Sequence, residues 1–161
     1  DAASVISACH LSGYDVAYRA GASFYNPESQ TKPDAVTIRH ILTMVERSVD
    51  FFRDFGPVTL SGFSFPGAFT HLVSSGDGDF MTADTLWDFK VSVNSPTKDH
   101  TLQLLIYWLM GMVSEQAEFD SITHLGVFNP RLNLTHVIPC DDIPIEVIEE
   151  VARDVIGYGI D

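Results

Sequence analysis

The chemistry this chain could do is concentrated between Gly76 and Tyr107. In the run Thr85-Leu86-Trp87-Asp88-Phe89-Lys90-Val91-Ser92 the side chains alternate as on a β-strand. Leu86, Asp88, Lys90 and Ser92 therefore share one face, and Thr85, Trp87, Phe89 and Val91 the other. The preceding Gly76-Asp77-Gly78-Asp79-Phe80 reads as a partner strand, and a tight hairpin over Met81 to Asp84 brings Asp79 close to Asp88. Two carboxylates converging on one point repel each other unless a divalent cation lies between them. Magnesium and manganese favour such oxygen ligands. The backbone carbonyl of Phe89 offers a further oxygen. Lys90, a compact positive charge beside that ion, suits the orientation of an attacking water or the stabilisation of charge on a phosphoryl oxygen. Further on, Gln103 and Tyr107 sit one helical turn apart, on a face from which both could reach the same point, with His100 on that side.

These residues need a scaffold, and hydrophobic periodicity supplies its outline. Ala2 to Leu11 reads as a helix stopped by Gly13, followed by a short strand from Tyr14 to Arg19. Gly21 to Pro33 is loop-like, broken at Asn26-Pro27 and Lys32-Pro33. Asp34 is placed to cap a long helix whose buried stripe is Ile38, Ile41, Leu42, Val45, Val49 and Phe52, ending at Gly56-Pro57. Strands are expected at Val58 to Phe63, from Phe69 through Phe80 after a Pro66-Gly67 turn, and at Thr85 to Ser92. An apolar helix from about His100 to Val113 follows. A hairpin of Leu125 to Phe128 with Asn133 to Ile138 comes next, turning through Asn129-Pro130-Arg131. Asp141 to Pro144 opens a last helix with Val147, Ile148, Val151 and Val155 inward. The order is α, β, α, β-β-β, α, β-β, α: an α/β chain with a mixed central sheet flanked by helices.

Gly78-Asp79, a short turn and Asp88-Phe89-Lys90 resemble the D…(D/E)xK core of the PD-(D/E)XK nuclease superfamily. Leu102-Gln103-Leu104-Leu105-Ile106-Tyr107 resembles the QxxxY motif of its RecB-like branch. The resemblance implies a restriction-endonuclease-like αβββαβ core, one or two magnesium or manganese ions, and hydrolysis of phosphodiester bonds. DNA is the expected substrate, RNA being an open alternative, and family members serve in DNA repair, restriction, recombination and phage processes. It assigns Asp79, Asp88, Lys90, Gln103 and Tyr107 to catalysis and Asp79, Asp88 and the Phe89 carbonyl to the metal. A helix-borne glutamate often joins such a site, and Glu46 is the nearest candidate. Lys98 and Arg131 are the expected phosphate contacts. One departure is Gly78, which stands where the strict motif has proline, as is common in the RecB-like branch.

A chain of 161 residues, 45% of them hydrophobic, can build one compact core, and a single domain over residues 1–161 is expected. The start at Asp1, directly in an apolar-patterned stretch, suggests a piece of a protein that extends further N-terminally. No apolar run is long enough for a bilayer span and no secretory leader pattern is present, so a cytoplasmic protein without membrane partners is expected. Cys9 and Cys140, far apart, then stay as thiols more readily than they form a bridge. The charge runs against simple nucleic-acid binding. Against 22 acidic residues stand only three lysines and six arginines, giving a net charge of −13. A protein partner supplying basic surface would resolve this. So would a nuclease-fold module that binds or assembles without catalysis, or an acidic inhibitor that mimics nucleic acid. The residues also exclude other chemistries: Gly76-Asp77-Gly78-Asp79 lacks the closing glutamate of a calcium loop. No zinc pattern, nucleophilic triad, phosphate loop or dinucleotide fingerprint occurs. Taken singly, Asp88 with Lys90 could be an ion pair on a solvated strand, and Tyr107 a core tyrosine.

Overall fold

The computed structural model describes residues 1–25 and 32–159; the Asn26-Pro27 break lies outside them. The chain divides into two compact units, 1–49 and 50–161.

The first unit is helical. Helix α1 covers Ala2–Ala20, with the Asp1 carboxylate accepting the Ser4 N–H at 2.9 Å as its cap. It runs on through Gly13 and takes in Tyr14 to Arg19, where a strand was expected. One interior glycine costs a helix about 1 kcal/mol, too little to end it, and Ala17, Arg19 and Ala20 favour helix over strand. The helix stops at Gly21, whose φ of 101° suits glycine. Helix α2 is Ala35–Phe55, and Asp34 caps it as expected, accepting the Thr37 N–H at 2.7 Å. Its anticipated stripe is only partly realised. Ile38, Ile41 and Leu42 are half-buried, whereas Val45, Val49 and Phe52 are exposed. The buried residue is Phe51, in the last turns of α2, which belong to the second unit.

The second unit is an α/β structure around a five-stranded mixed sheet of order β1-β2-β3-β4-β5. Strands β1 (Leu60–Phe63), β2 (Gly78–Met81) and β3 (Thr85–Phe89) form an antiparallel meander. Helix α3 (Lys98–Val113) crosses over to β4 (His124–Asn129), parallel to β3, and β5 (Leu134–Pro139) returns antiparallel at the edge. Helix α4 (Ile145–Glu150) continues as a π-helical turn over Val151–Ile156; its inward residues are Val151 and Ile156, with Ile148 and Val155 half-buried and Val147 exposed.

Several boundaries differ from expectation for local reasons. Residues 69–77 are irregular rather than strand, because the Thr70 hydroxyl accepts the N–H groups of Leu72 and Val73, and the Thr70 N–H bonds the Val73 carbonyl. Strand β1 begins at Leu60, and β3 ends at Phe89. Beyond β3 the buried Asn129 amide donates to the carbonyls of Ser92 and Asn94, shaping that segment as a loop. Helix α3 starts two residues earlier than its apolar pattern does.

The two faces of the sheet are packed differently. On one, Met81, Leu86, Leu125 and Val127 meet Leu104, Leu105 and Met110 of α3 and Val151 and Ile156 beyond α4. On the other, Phe80, Trp87, Phe89 and Phe128 surround Phe51, whose ring stacks on Phe128 at 4.4 Å and meets Trp87 edge-on at 4.8 Å. Trp87 lies directly over Gly126, where a Cβ would come within 2.3 Å of the indole. No helix among the described residues is long and apolar enough to cross a membrane. Both cysteines are free; burial pushes the Cys140 thiol up to about 11, well above reactive values.

Candidate functional site

The site grows from the β2–β3 hairpin. Phe80 pairs with Trp87 and Met81 with Leu86, and the Thr82 N–H closes the turn on the Thr85 carbonyl. One step back along this register sets Asp79 opposite Asp88, as the alternation of β3 anticipates. The next backbone pair would be Gly78 with Phe89. Instead the Asp79 carboxylate takes the Phe89 N–H at 2.8 Å, so the side chain ends the ladder where the backbone would have continued it. Gly78 itself pairs with Phe63 of β1, and a Cβ at Gly78 would fall 2.2 Å from the Phe63 ring. That contact explains glycine, and the absence of proline, before Asp79.

Leu86, Asp88 and Lys90 all face α3, and Trp87 and Phe89 face the aromatic cluster. Lys90 Nζ lies 2.9 Å from Asp88 Oδ1 and donates to Gln103 Oε1 at 3.0 Å; Gln103 Nε2 in turn donates to the Tyr107 hydroxyl at 3.1 Å. Glutamine can serve both partners because it carries an acceptor and a donor. The Tyr107 ring is held against Phe65, with centroids 5.0 Å apart. Lys90 is thus fixed from two sides.

Asp88 is only 7% exposed, with Val127 of β4 paired beside it. Its Oδ2 is buried and has no hydrogen-bond partner. Burial raises the Asp88 pKa above the ordinary carboxylate range; the hydrogen bond and charge of Lys90 oppose the rise, Asp79 adds to it, and His100 opposes it weakly. The buried Asp88 Oδ2 thus lacks a donor, while the Asp79 carboxylate is near enough to help raise the Asp88 pKa. The oxygens of Asp79 and Asp88, with the Phe89 carbonyl adjoining, are the donor type magnesium or manganese takes. Among the described residues no three His, Cys, Asp or Glu side chains converge where they could hold a metal ion.

The other expected residues divide. His100 accepts the Thr97 N–H through Nδ1 at 3.2 Å, a helix-capping contact at the start of α3. Lys98 lies on the side of α3 turned away from Gln103 and Tyr107, about 140° and 180° around the helix. Arg131 is exposed in the β4–β5 turn, which Asn129 Oδ1 shapes by accepting the N–H groups of Arg131 and Leu132. Glu46 is an exposed residue of the first unit. A cleft of about 400 Å³ is lined by Val73, Asp99, His100, Gln103 and Tyr107 among others. Asp99 and Val73 were not anticipated. Asp99 stands one turn before Gln103, a spacing the sequence displays, whereas Val73 enters from the irregular segment and has no local signal. Compared with family models, curated proteins and solved structures, the chain matches none.

Proposed function

We propose that the protein is a metal-dependent nuclease of the PD-(D/E)XK type, with Asp79, Asp88 and the Phe89 carbonyl as ligands of a magnesium or manganese ion. The observation that carries this reading is the buried, unpartnered Oδ2 of Asp88 beside Asp79, on the face where Lys90 is held by Gln103. An isolated structural ion pair explains the Asp88–Lys90 contact, and the Phe89 N–H bond explains Asp79, yet the orphaned Asp88 oxygen is left without a reason. When bound, the cation would polarise a phosphoryl oxygen and acidify a water. Lys90 carries the positive charge that stabilises the phosphoryl oxygens as water adds to phosphorus and the ester P–O bond breaks. Gln103 positions Lys90, and Tyr107 holds the amide of Gln103 in the required orientation. The mixed five-stranded sheet of the second unit, with α3 crossing between β3 and β4, supports the reading as an α/β fold.

The test is incubation with single- and double-stranded DNA and RNA, with and without manganese. The expected result is manganese-dependent cleavage that Lys90→Ala abolishes; absence of cleavage of all four polymers contradicts it. The net charge of −13 favours a second reading, a nuclease-fold module that engages nucleic acid only through a basic partner. In that reading the site is degenerate, so the chain cleaves nothing with or without the partner, and manganese gives no thermal stabilisation.

A further inference from the structure

A cavity of about 590 Å³ lies between α3, the β4–β5 hairpin and α4, separate from the carboxylate site. Its composition changes along its length. In the β4–β5 register Leu125 pairs with Ile138 and Val127 with His136, so all four point to the α3 face. Helix α3 links two parallel strands, so it starts at their C-terminal ends and runs back along them. Ser95, Lys98 and His136 therefore line the end near the close of β4, and Ile138, Ile143 and Val147 line the opposite end.

The charges are segregated as well. Although the chain has 22 acidic residues, no Asp or Glu lines this cavity, and Asp99, the neighbour of Lys98, lines the other cleft. Among the described residues Lys98 forms no ion pair, in a chain that has three lysines. An apolar trough with an exposed, unpaired ammonium, an imidazole and a hydroxyl at one end is complementary to a molecule with an aliphatic body and one anionic head. A neutral amphiphile would gain nothing from the ammonium, and a cationic one would be repelled by it.

We infer that this cavity binds an amphipathic carboxylate, its chain on Ile138, Ile143 and Val147 and its head at Lys98. The inference is independent of the nuclease reading. The probe is decanoate, with decan-1-ol and decylamine as comparators of equal chain length, followed by calorimetry and by methyl NMR. Decanoate is expected to bind saturably at one site and to shift the methyl signals of Ile138, Ile143 and Val147. Lys98→Ala is expected to weaken it about tenfold, the worth of one charge-assisted contact, and to leave decan-1-ol unchanged. Lys98 is an exposed residue of the first helical turn, so the variant folds. Equal or tighter binding of decan-1-ol or decylamine, or indifference to Lys98→Ala, overturns the inference. So does an absence of saturable binding, or methyl shifts that follow protein concentration as a second copy covers the trough.

Discussion

Lys90 donates to Gln103 Oε1 at 3.0 Å while lying 2.9 Å from Asp88 Oδ1, so one ammonium joins a strand carboxylate to a helix amide. Both lysine contacts are drawn from side chains that are themselves held, Asp88 by burial and Gln103 by Tyr107. Removing the ammonium should therefore disturb stability as well as chemistry. Lys90→Ala leaves the Asp88 carboxylate buried without a partner, a loss of about 2–3 kcal/mol at neutral pH. Urea denaturation of the two proteins at pH 7 measures it, and a difference below about 0.5 kcal/mol speaks against the linkage.

The same carboxylate makes stability depend on pH. The folded pKa of Asp88 is raised above its unfolded value, so the folded state holds the proton more tightly. Its contribution to stability consequently falls as pH rises from the unfolded value of about 3.9 through the raised folded value. Asp88→Asn removes that penalty. The variant should melt higher than the parent at pH 7, with the gap closing below pH 4. Melting curves between pH 3.5 and 8 check the direction. A variant less stable at pH 7 than at pH 4, relative to the parent, contradicts it.

Gln103 is a positioning residue, and its role separates from simple packing by comparing two variants. Gln103→Glu keeps the size and an acceptor for Lys90 but cannot donate to Tyr107 when ionised. Gln103→Leu keeps bulk and loses both. If Lys90 positioning matters for turnover, Gln103→Leu should lower kcat about 10- to 100-fold with KM little changed, and Gln103→Glu should lie between it and the parent. Equal loss in KM alone would assign Gln103 to substrate binding. Tyr107→Phe should cost about 1 kcal/mol of stability and only a few-fold in rate.

Gly78 is expected to resist substitution because of Phe63. Gly78→Ala puts a methyl into the ring that covers it, and the adjustment should cost about 1–3 kcal/mol. Gly78→Ala combined with Phe63→Leu should recover part of that loss, an interaction measurable by a double-mutant cycle. A simple sum of the two single effects would mean that the contact does not explain the glycine.

How far the sequence discloses this site follows from which interactions are local. The shared face of Leu86, Asp88 and Lys90 is set by the two-residue period of a strand, and the Gln103–Tyr107 bond by the four-residue spacing of a helix. Both were legible. So were the Asp34 cap and the placement of Asp79 across from Asp88, because a short hairpin turn leaves little choice of register. The burial of Phe51 was not, because it depends on rings contributed by β2, β3 and β4 from distant stretches of chain. The irregular course of residues 69–77 also escaped, since a threonine hydroxyl competes there with sheet pairing. Tyr14 to Arg19 misled because its alternation is short and its residues are equally at home in a helix.

The most direct test of the account is a manganese titration followed by thermal unfolding, performed on the parent, Asp79→Asn and Asp88→Asn. At a hundredfold excess over Kd, one ion should stabilise the parent by about 2.7 kcal/mol. For a chain of this size that is a rise of about 5–10 °C. The rise should saturate and be lost in both variants. Stabilisation of equal size in all three proteins would place the ion elsewhere on the acidic surface. No saturable rise in the parent would contradict a metal site at Asp79 and Asp88.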